Sequence, residues 1–432
     1  SSIYESRERV QNTQDFIATD RISLFEQENS LNQSSLQGRL ITGATYELSL
    51  NANRLEDSLN ARDVARFRPE YESDVLLRVT QPLLKDAGEG VTMTQVRIAK
   101  SELRVSRHDL QLKILTVVSQ VMEAFIETLF AQENVAVKKD AIELAEKVRA
   151  ENMRRVDLGV MKPLDVIQAE VAVSQAEEEL ISAETFLVQR QNTMKALIFK
   201  DFDHVMDLLV EADGVLSPDV PDMGDRLRYF RLAKKHNPEF LKQRELVGQE
   251  EIRYKFAKNQ MLPRLDFQGS FGYNGLDEQF GGALNDYTSQ GPDWSLGFVF
   301  SVPLGNRAAK AQMRESMLRR QQASLASRYT ENGIGAAIST ALNRVDANQR
   351  RVATTAKSVE LATKALDAEL KRLETGVGTS YDVLRTQDEV SAARTRRLAA
   401  VAELEKAVTQ LWTAVGKIPQ LEASVDVVLD GE

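Results

Sequence analysis

Apolar residues recur at helical spacing along two very long stretches of the sequence. From about Thr92 to Val156 the chain contains neither Gly nor Pro, and its apolar residues fall three or four positions apart. The series includes Leu110, Ile114, Val117, Val121, Phe125 and Leu129. One helix of that length would span roughly 100 Å, at a rise of about 1.5 Å per residue. A second such run, 306–373, is interrupted only by Gly333 and Gly335.

Each long run ends at a short break that contains glycine and leads into a further helix. The first break includes Gly159, and the second includes Gly376. Glycine supplies the positive φ that closes a helix, and Pro163 is tolerated in a first helical turn because its missing N–H has no partner there. We therefore predict two helical hairpins, with tips near 157–165 and 374–382.

The helices that follow the two breaks carry the same apolar register. Steps of three and four alternate as in a heptad seam, and the many Ala residues allow close helix approach. The two series are Val166, Ala169, Val173, Ala176, Leu180, Ala183, Leu187 and Val383, Thr386, Val390, Ala393, Arg397, Ala400, Leu404. Asp165 in the first tip matches Asp382 in the second, where Thr379 or Ser380 is expected to cap the helix. The chain is therefore an internal duplication.

Apolar and polar residues alternate before each long helical run, with the period of two that indicates a strand with one apolar face. The apolar positions are Tyr46, Leu48 and Leu50; Val75, Leu77 and Val79; Leu265, Phe267, Phe271 and Tyr273; and Leu296, Phe298, Phe300 and Val302. Pro82 and Pro303 end the second strand of each pair. The polar stretch before residue 42 predicts an edge-type strand over 3–17 and a loop up to Leu40.

Composition narrows the class of protein. The 432 residues include 6% aromatic and 28% charged residues, a balance that favours long helices over a thick globular core. Cysteine is absent, which excludes disulfides and thiolate chemistry. The net charge of -9 and the pI near 5.3 argue against a nucleic-acid partner. No apolar run approaches the roughly 20 residues expected of a membrane-spanning helix.

The strands are long enough to cross a bilayer, since a tilted membrane strand needs about 10 residues. Two hairpins cannot close a barrel, and an unpaired strand edge in lipid would leave N–H and C=O groups without partners. If the strands span a membrane, several chains must therefore share one barrel.

These features together resemble the TolC-like outer membrane efflux proteins of Gram-negative bacteria, the outer membrane factors of tripartite efflux or type I secretion systems. The resemblance rests on the two tips, the strand ends Gln81-Pro82-Leu83-Leu84 and Val302-Pro303-Leu304-Gly305, and the strand entry Leu262-Pro263-Arg264-Leu265. It implies a mixed α and β membrane protein with two repeats of a β-hairpin plus a long helical hairpin. It also implies a homotrimer in outer membrane lipid that extends into the periplasm, with one twelve-stranded barrel and a twelve-helix coiled-coil tunnel.

The resemblance gives each segment of the chain an expected place. The segments are 1–85 (first barrel strands and a loop), 86–198 (first long helical pair), 199–261 (linker and equatorial helices), 262–304 (second barrel hairpin), 305–416 (second long helical pair) and 417–432 (equatorial tail, partly strand). The second barrel hairpin follows a predicted helix, 239–258, whereas the first does not. An N-terminal helix is therefore expected to be absent.

By the same resemblance, the chain is a channel that exports small molecules or proteins to the exterior, with a periplasmic adaptor (a membrane fusion protein) and an inner-membrane pump. The tips would form the periplasmic entrance and dock the adaptor through Gly159, Val160, Pro163, Gly376, Val377, Gly378, Thr379 and Ser380. Asp382 falls where the family places a ring of aspartates, and Asp165 where it has an acidic gate residue. Where relatives carry a Tyr, an Arg and a second Asp, this chain has Leu373, Gly378 and Arg385. An ion pair of Arg385 with Asp382 or Asp165 is one candidate gate contact.

Other functional classes fit less well. The run Gly376-Val377-Gly378-Thr379 lacks the preceding strand, third glycine and lysine of a phosphate loop. The histidines His108, His204 and His236 fall in separate segments without carboxylates at ligand spacing, so no metal or cofactor is expected. No nucleophile, base and orienting group occur together, which argues against an enzyme. A soluble coiled-coil scaffold without transport activity stays open, although the strand patterns argue against it.

Overall fold

The computed structural model describes residues 2–11, 24–57, 69–222, 224–285 and 291–418. The chain divides into two compact units. The first comprises Ser1–Leu103 and Leu246–Ser324 and contains the β-sheet. The second comprises Arg104–Glu245 and Leu325–Glu432 and contains both helical hairpin tips.

Within the described residues, six strands form one antiparallel sheet, and their order in space follows their order in the sequence. They are β1 (Ser2–Gln11), β2 (Leu24–Arg39), β3 (Thr45–Asp57), β4 (Glu70–Pro82), β5 (Arg264–Asp277) and β6 (Asp293–Ser301). The apolar alternation predicted β3 to β6, and β1 overlaps the strand predicted over 3–17 but begins one residue earlier. Residues 12–17 of that predicted strand lie outside the described residues.

The polar stretch predicted as a loop up to Leu40 is instead mostly strand β2, so four strands precede the first helix in the described residues. β2 pairs with β3 along most of its length, with Arg39 opposite Thr45. A tight turn brings the two strands together, in which the Leu40 amide donates to the Ala44 carbonyl oxygen at 2.7 Å. Ladder hydrogen bonds come from the backbone, so this strand needs no apolar alternation in its sequence.

The helices match the predicted runs with small differences. They are α1 (Glu89–Thr92), α2 (Thr94–Asp157), α3 (Pro163–Ile198), α4 (Arg226–His236), α5 (Pro238–Asn259), α6 (Phe280–Asn285), α7 (Arg307–Glu374) and α8 (Ser380–Val415). The short α6 lies between β5 and β6. The predicted tail, 417–432, lies outside the described residues from 419 onward.

α7 passes through Gly333 and Gly335 without the predicted interruption. A glycine inside a helix costs only about 1 kcal/mol relative to Ala, and packing along a long helix outweighs that cost. Gly335 also serves packing, because the ring of Phe230 lies 3.3 Å from the position a Cβ would occupy.

α2 corrects the expectation that no apolar run approaches membrane-spanning length. By length and composition alone, it contains an 18-residue window with mean hydropathy 1.5 and at most two charged residues. About a third of that window is buried within the chain. Apolar side chains of α2 such as Ile126 and Leu129 are buried within the chain, so tertiary packing accounts for part of the apolar character of this helix.

The second unit contains two clusters of buried apolar side chains. One joins α4, α7 and α8 around Tyr229, Leu342 and Leu411. The other joins α2, α3, α7 and α8 around Val173 and Val383. Because the second cluster includes residues from all four helices that end or begin at the tips, it holds the two tips together.

Candidate functional site

The first tip closes α2 with a Schellman motif. Gly159 has a φ of 71° and its amide donates to the Val156 carbonyl oxygen at 2.9 Å. The Val160 amide reaches one residue further back, to the Arg155 carbonyl oxygen at 2.9 Å. These two bonds satisfy carbonyl groups that the end of a helix leaves without partners.

The second tip repeats this geometry at the end of α7. Gly376 has a φ of 76°, and its amide donates to the Leu373 carbonyl oxygen at 3.2 Å. The Val377 amide donates to the Arg372 carbonyl oxygen at 3.0 Å. Gly378 is required for a different reason, because a Cβ there would lie 3.0 Å from both the Leu373 nitrogen and the Arg372 Cβ. The matching glycines of the duplicated sequence therefore perform the same conformational role.

The two aspartates occupy equivalent positions in the first turns of α3 and α8. The Lys162 amide donates to Asp165 Oδ2 at 3.1 Å, and Pro163 fills the first helical position. At the second tip, Thr379 Oγ1 accepts from the Asp382 amide at 3.2 Å and donates to Asp382 Oδ2 at 2.7 Å. Asp165 thus caps the backbone at the start of α3, whereas Asp382 accepts from the Thr379 hydroxyl that caps α8. The helix dipole favours the negative charge of both carboxylates. Of the two predicted caps for α8, Thr379 performs the role.

Asn152 joins the tips through a buried polar contact. Its side chain is fully buried, and its Nδ2 donates to the Asp165 carbonyl oxygen at 3.0 Å. The Ser380 hydroxyl, also buried, donates to Asn152 Oδ1 at 2.6 Å. One amide therefore bridges α2, the start of α3 and the start of α8, and Ser380 is a structural residue of the junction.

Arg155 makes a second bridge between the hairpins. Its Nη1 donates to the Leu373 carbonyl oxygen at 3.0 Å, and its Nε forms an ion pair with Glu151 at 2.9 Å. The contact places a positive charge at the C-terminal end of α7, where the helix dipole favours it. The Leu373 side chain is 7% exposed and belongs to the apolar cluster around Val173 and Val383.

Sequence reasoning did not identify Asn152 or Arg155. A signal for the asparagine exists in the heptad seam, because Asn152 follows Ala145 and Val148 at steps of three and four. A polar residue on an otherwise apolar seam commonly fixes register by hydrogen bonding. Arg155 leaves no such signal, because its partner is a backbone carbonyl that any residue could supply.

Large apolar side chains remain exposed at both tips. Leu158 is 69% exposed, Val160 76%, Val377 73% and Tyr381 59%. Neighbouring apolar residues on α3 are exposed as well, namely Leu164, Ile167 and Val171. Exposed apolar side chains grouped along two neighbouring segments are a feature of protein–protein contact sites.

Arg385 follows Asp382 by one turn of α8 and is exposed. Within the described part of a single chain, it forms no ion pair with Asp382 or Asp165. The two aspartates instead accept hydrogen bonds from the residues that begin their own helices, Asp165 from the Lys162 amide and Asp382 from the Thr379 hydroxyl. A gate contact of Arg385 would therefore require a second chain.

A charged cluster lies deeper in the bundle, between α2, α3 and α8. Lys138 Nζ donates to Glu179 Oε2 at 2.7 Å and to Ser391 Oγ at 3.2 Å. Burial raises the pKa of Asp388, and the negative charge of Glu179 raises it further, against a smaller opposing effect of Lys138. These groups line a cavity of about 510 Å³, and Glu179 and Asp388 are exposed to solvent. The cavity between the three helices is therefore polar and charged.

Glu127 forms a second charged centre on α2. It pairs with Lys406 of α8 at 2.9 Å and with Arg190 of α3 at 2.5 Å. Burial raises the pKa of Glu127, but the hydrogen bonds and charges of Lys406 and Arg190 outweigh burial and hold the pKa below its usual value. The three helices are thus cross-linked by charge as well as by apolar packing.

Comparison with known proteins places these features in a family. A family model described as "Outer membrane efflux protein" matches residues 43–198 and 230–417, which is most of the chain. The outer membrane efflux protein BepC of Brucella suis biovar 1 (strain 1330) is 24% identical over 331 residues, 76% of this chain and 69% of BepC. The cobalt-zinc-cadmium resistance protein CzcC of Cupriavidus metallidurans is 23% identical over 224 residues, 50% of this chain and 54% of CzcC. The pyoverdine export outer membrane protein OpmQ of Pseudomonas aeruginosa is 24% identical over 327 residues, 73% of this chain and 66% of OpmQ.

Solved outer membrane channels have the same fold. The outer membrane protein VceC from Vibrio cholerae superposes with a TM-score of 0.61 at 17% identity, covering 90% of this chain and 87% of VceC. The outer-membrane channel OprN gives a TM-score of 0.62 at 15% identity, covering 94% and 83% of the two chains. The Campylobacter jejuni CmeC channel gives 0.61 at 15% identity, covering 94% and 80%.

Proposed function

Because the chain belongs to the outer membrane efflux protein family, we propose that three copies assemble into one outer membrane channel that exports small molecules or proteins. Members of this family are outer membrane channels and not enzymes. The proposal adds a homotrimer, a shared barrel of four strands per chain, and a periplasmic tunnel of four helices per chain.

The observation that carries the proposal is the open edge of β6. In the described part of the sheet, β6 pairs only with β5, and all nine of its residues are exposed. Trp294, Phe298 and Phe300 are each more than 60% exposed on this edge strand. Lipid tolerates the apolar side chains but not the unpaired backbone groups, so a membrane-embedded β6 needs a strand from another chain.

The tips are the proposed docking surface for a periplasmic adaptor that connects the channel to an inner-membrane pump. Support comes from the exposed apolar side chains Leu158, Val160 and Val377, which protrude from a junction fixed by Asn152 and Arg155. A rigid support with an exposed apolar tip is suited to a helical partner, since little ordering is needed on binding.

The gate is proposed to involve Asp165, Asp382 and Arg385 from all three chains. Both aspartates lie in the first turn of a helix at the tip, so three copies would place six carboxylates around the entrance. Like charges held in a confined opening attract cations and repel anions. Arg385, which pairs with neither aspartate in its own chain, is available to a neighbouring chain.

A soluble scaffold would expose an apolar sheet face of membrane-crossing length to water, whereas an outer membrane channel places that face in lipid. The channel is therefore favoured over the scaffold. The test is to purify the chain in detergent, measure its mass by light scattering, and record conductance after insertion into planar bilayers. A trimer with discrete ion conductance is expected. A monomer that retains full β content by circular dichroism would contradict the proposal.

A further inference from the structure

The strands of the sheet differ in their compatibility with lipid. β3 to β6 present an apolar face, whereas β2 presents none. Cross-strand partners share a face, and one row reads Leu48, Leu77, Phe271 and Trp294 across β3, β4, β5 and β6. All four of these side chains are more than 40% exposed. The neighbouring row runs from Tyr46 through Val79 and Gly269 to Leu296. An unbroken apolar face therefore extends over β3 to β6.

The apolar face stops at β2. The β2 partners of Leu50, Leu48 and Tyr46 in β3 are Ser34, Leu36 and Gly38, respectively. Only Leu36 among these partners is a large apolar residue. The other face of β2 carries mainly polar residues, namely Asn29, Leu31, Gln33, Ser35 and Gln37. The sequence of β1, which pairs with β2, includes Glu5, Arg7, Glu8 and Arg9. Neither face of β2 suits hydrocarbon, whereas both suit water.

We propose that β2 is a temporary cover for the edge of β3, and that β6 of a second copy displaces it when the barrel assembles. This inference rests on the proposed trimeric channel. In the displaced arrangement, the apolar row of one chain continues from Trp294 of β6 into Leu48 of the next chain. The wall then contains only strands β3 to β6, and the β1–β2 ribbon leaves the membrane-facing part of the sheet.

The exchange shortens the backbone ladder along β3, because β2 pairs with it over 27–39 whereas β6 has nine residues. The backbone groups of the released β2 are then hydrogen-bonded by water. The side chains determine whether β2 or β6 of a second copy is the more stable partner of β3. Cross-strand pairs of aromatic and large aliphatic residues are more favourable than pairs with Ser or Gly, so β6 is the better neighbour for Tyr46, Leu48 and Leu50. Before assembly, β2 protects the β3 edge from indiscriminate strand pairing, which open edges otherwise invite.

A disulfide between β2 and β3 tests whether β2 must be displaced before the trimer can form. The chain has no cysteine, so a pair can be introduced without competing thiols. Ser35 lies directly opposite Ser49, and S35C/S49C should form a disulfide that prevents release of β2. Oxidised S35C/S49C is expected to stay monomeric in detergent under conditions in which the unmodified chain forms trimers. Reduction with dithiothreitol should restore trimer formation.

The matched control places a disulfide where no exchange is proposed. Thr80 of β4 lies opposite Gln268 of β5, and T80C/Q268C should form trimers whether oxidised or reduced. This control separates an effect of releasing β2 from a general effect of a disulfide on the sheet.

A second pair of variants detects the new neighbour directly. Ser49 and Ser295 share the face of the sheet opposite the apolar rows, because Ser49 is linked through Leu76 and Gly272 to Asp293 of β6. With Trp294 opposite Leu48 of the next chain, antiparallel pairing places Ser295 opposite Glu47 and Asp293 opposite Ser49. E47C/S295C and S49C/D293C should therefore form disulfides between chains. Normal trimer yield from oxidised S35C/S49C, or no interchain disulfide with either β3 cysteine, would overturn the inference. If the unmodified chain forms no trimer at all, the proposed function itself fails.

Discussion

The hydroxyl of Ser380 donates to Oδ1 of Asn152 at 2.6 Å, and both residues are buried between the two helical hairpins. The same amide donates to the Asp165 carbonyl oxygen at 3.0 Å. A single side chain thus couples the tips that the sequence duplication relates. Any motion that opens one tip relative to the other must break or rearrange these bonds.

Replacing Asn152 with Ala should destabilise the tip junction. The change removes both bonds and leaves the Ser380 hydroxyl buried without its acceptor, which costs about 1–3 kcal/mol of unfolding free energy. The denaturation midpoint of the detergent-solubilised protein measures this loss. N348A is the control, because Asn348 also donates to a backbone carbonyl, that of Glu403 at 3.2 Å, but from an exposed position. Equal effects of the two substitutions would show that the junction has no special importance.

Replacing Gly376 or Gly159 with Ala should strain the tips, since both have a positive φ. The left-handed conformation costs about 1–2 kcal/mol for a residue with a Cβ. Gly333 is the control inside α7, where G333A should instead stabilise by up to about 1 kcal/mol. Chemical denaturation of the three variants measures the opposite signs. A stability gain in G376A would contradict the conformational role assigned to this glycine.

A bulky residue at the same glycines should abolish export while trimer abundance stays unchanged. No other atom lies within 4 Å of a Cβ built at Gly159 or Gly376, so a larger side chain would extend outward onto the proposed adaptor surface. An export assay in cells, with trimer quantified by immunoblotting, measures both quantities. Normal export from G159W and G376W would remove the tips from the adaptor interface.

Replacing Asp382 with Asn should reduce cation selectivity without unfolding the tip. Asn keeps an oxygen that can accept from the Thr379 hydroxyl, so the cap survives while the charge is lost. Reversal potentials in planar bilayers under a salt gradient measure selectivity, and block by divalent ions should weaken in parallel. D367N, a change at an exposed site on α7, is the charge-matched control. If Arg385 of a neighbouring chain already neutralises the ring, D382N will raise conductance instead and R385A will strengthen cation block.

The pH dependence of stability should separate Asp388 from Glu127. Burial holds the pKa of Asp388 above its ordinary value of 3.8, so the folded chain binds this proton more tightly than the unfolded chain. Stability from this group is therefore lost as pH rises from 3.8 through the folded pKa, and D388N should stabilise the protein at neutral pH.

Glu127 should behave in the opposite way, because the charges of Lys406 and Arg190 hold its pKa below 4.5 despite burial. Its contribution is present above 4.5 and is lost as pH falls through the folded pKa. E127Q should therefore destabilise the protein at neutral pH and flatten the loss of stability in acid. Denaturation midpoints at several pH values measure both variants, and the same sign for D388N and E127Q would contradict the assigned environments.

The sequence by itself determined the long helices, their hairpin breaks and the four apolar strands. These features depend on local patterns, namely periods near 3.6 and 2 and the conformational demands of Gly159, Gly376 and Pro163. Such patterns can be interpreted without knowing any partner. The family resemblance is visible in the sequence for the same reason, since its motifs lie at strand ends and helix breaks.

Only the tertiary structure decided the features that depend on backbone partners. β2 forms because the backbone of β3 offers it a ladder, and no side-chain period records that contact. Arg155 is important because it reaches the carbonyl of Leu373, 218 positions away in the sequence. The two aspartates at the tips were found from the sequence as a matched pair, but the hydrogen bonds that engage them within one chain required the coordinates. Backbone groups are the same at every residue, so the contacts they make leave little trace in the sequence.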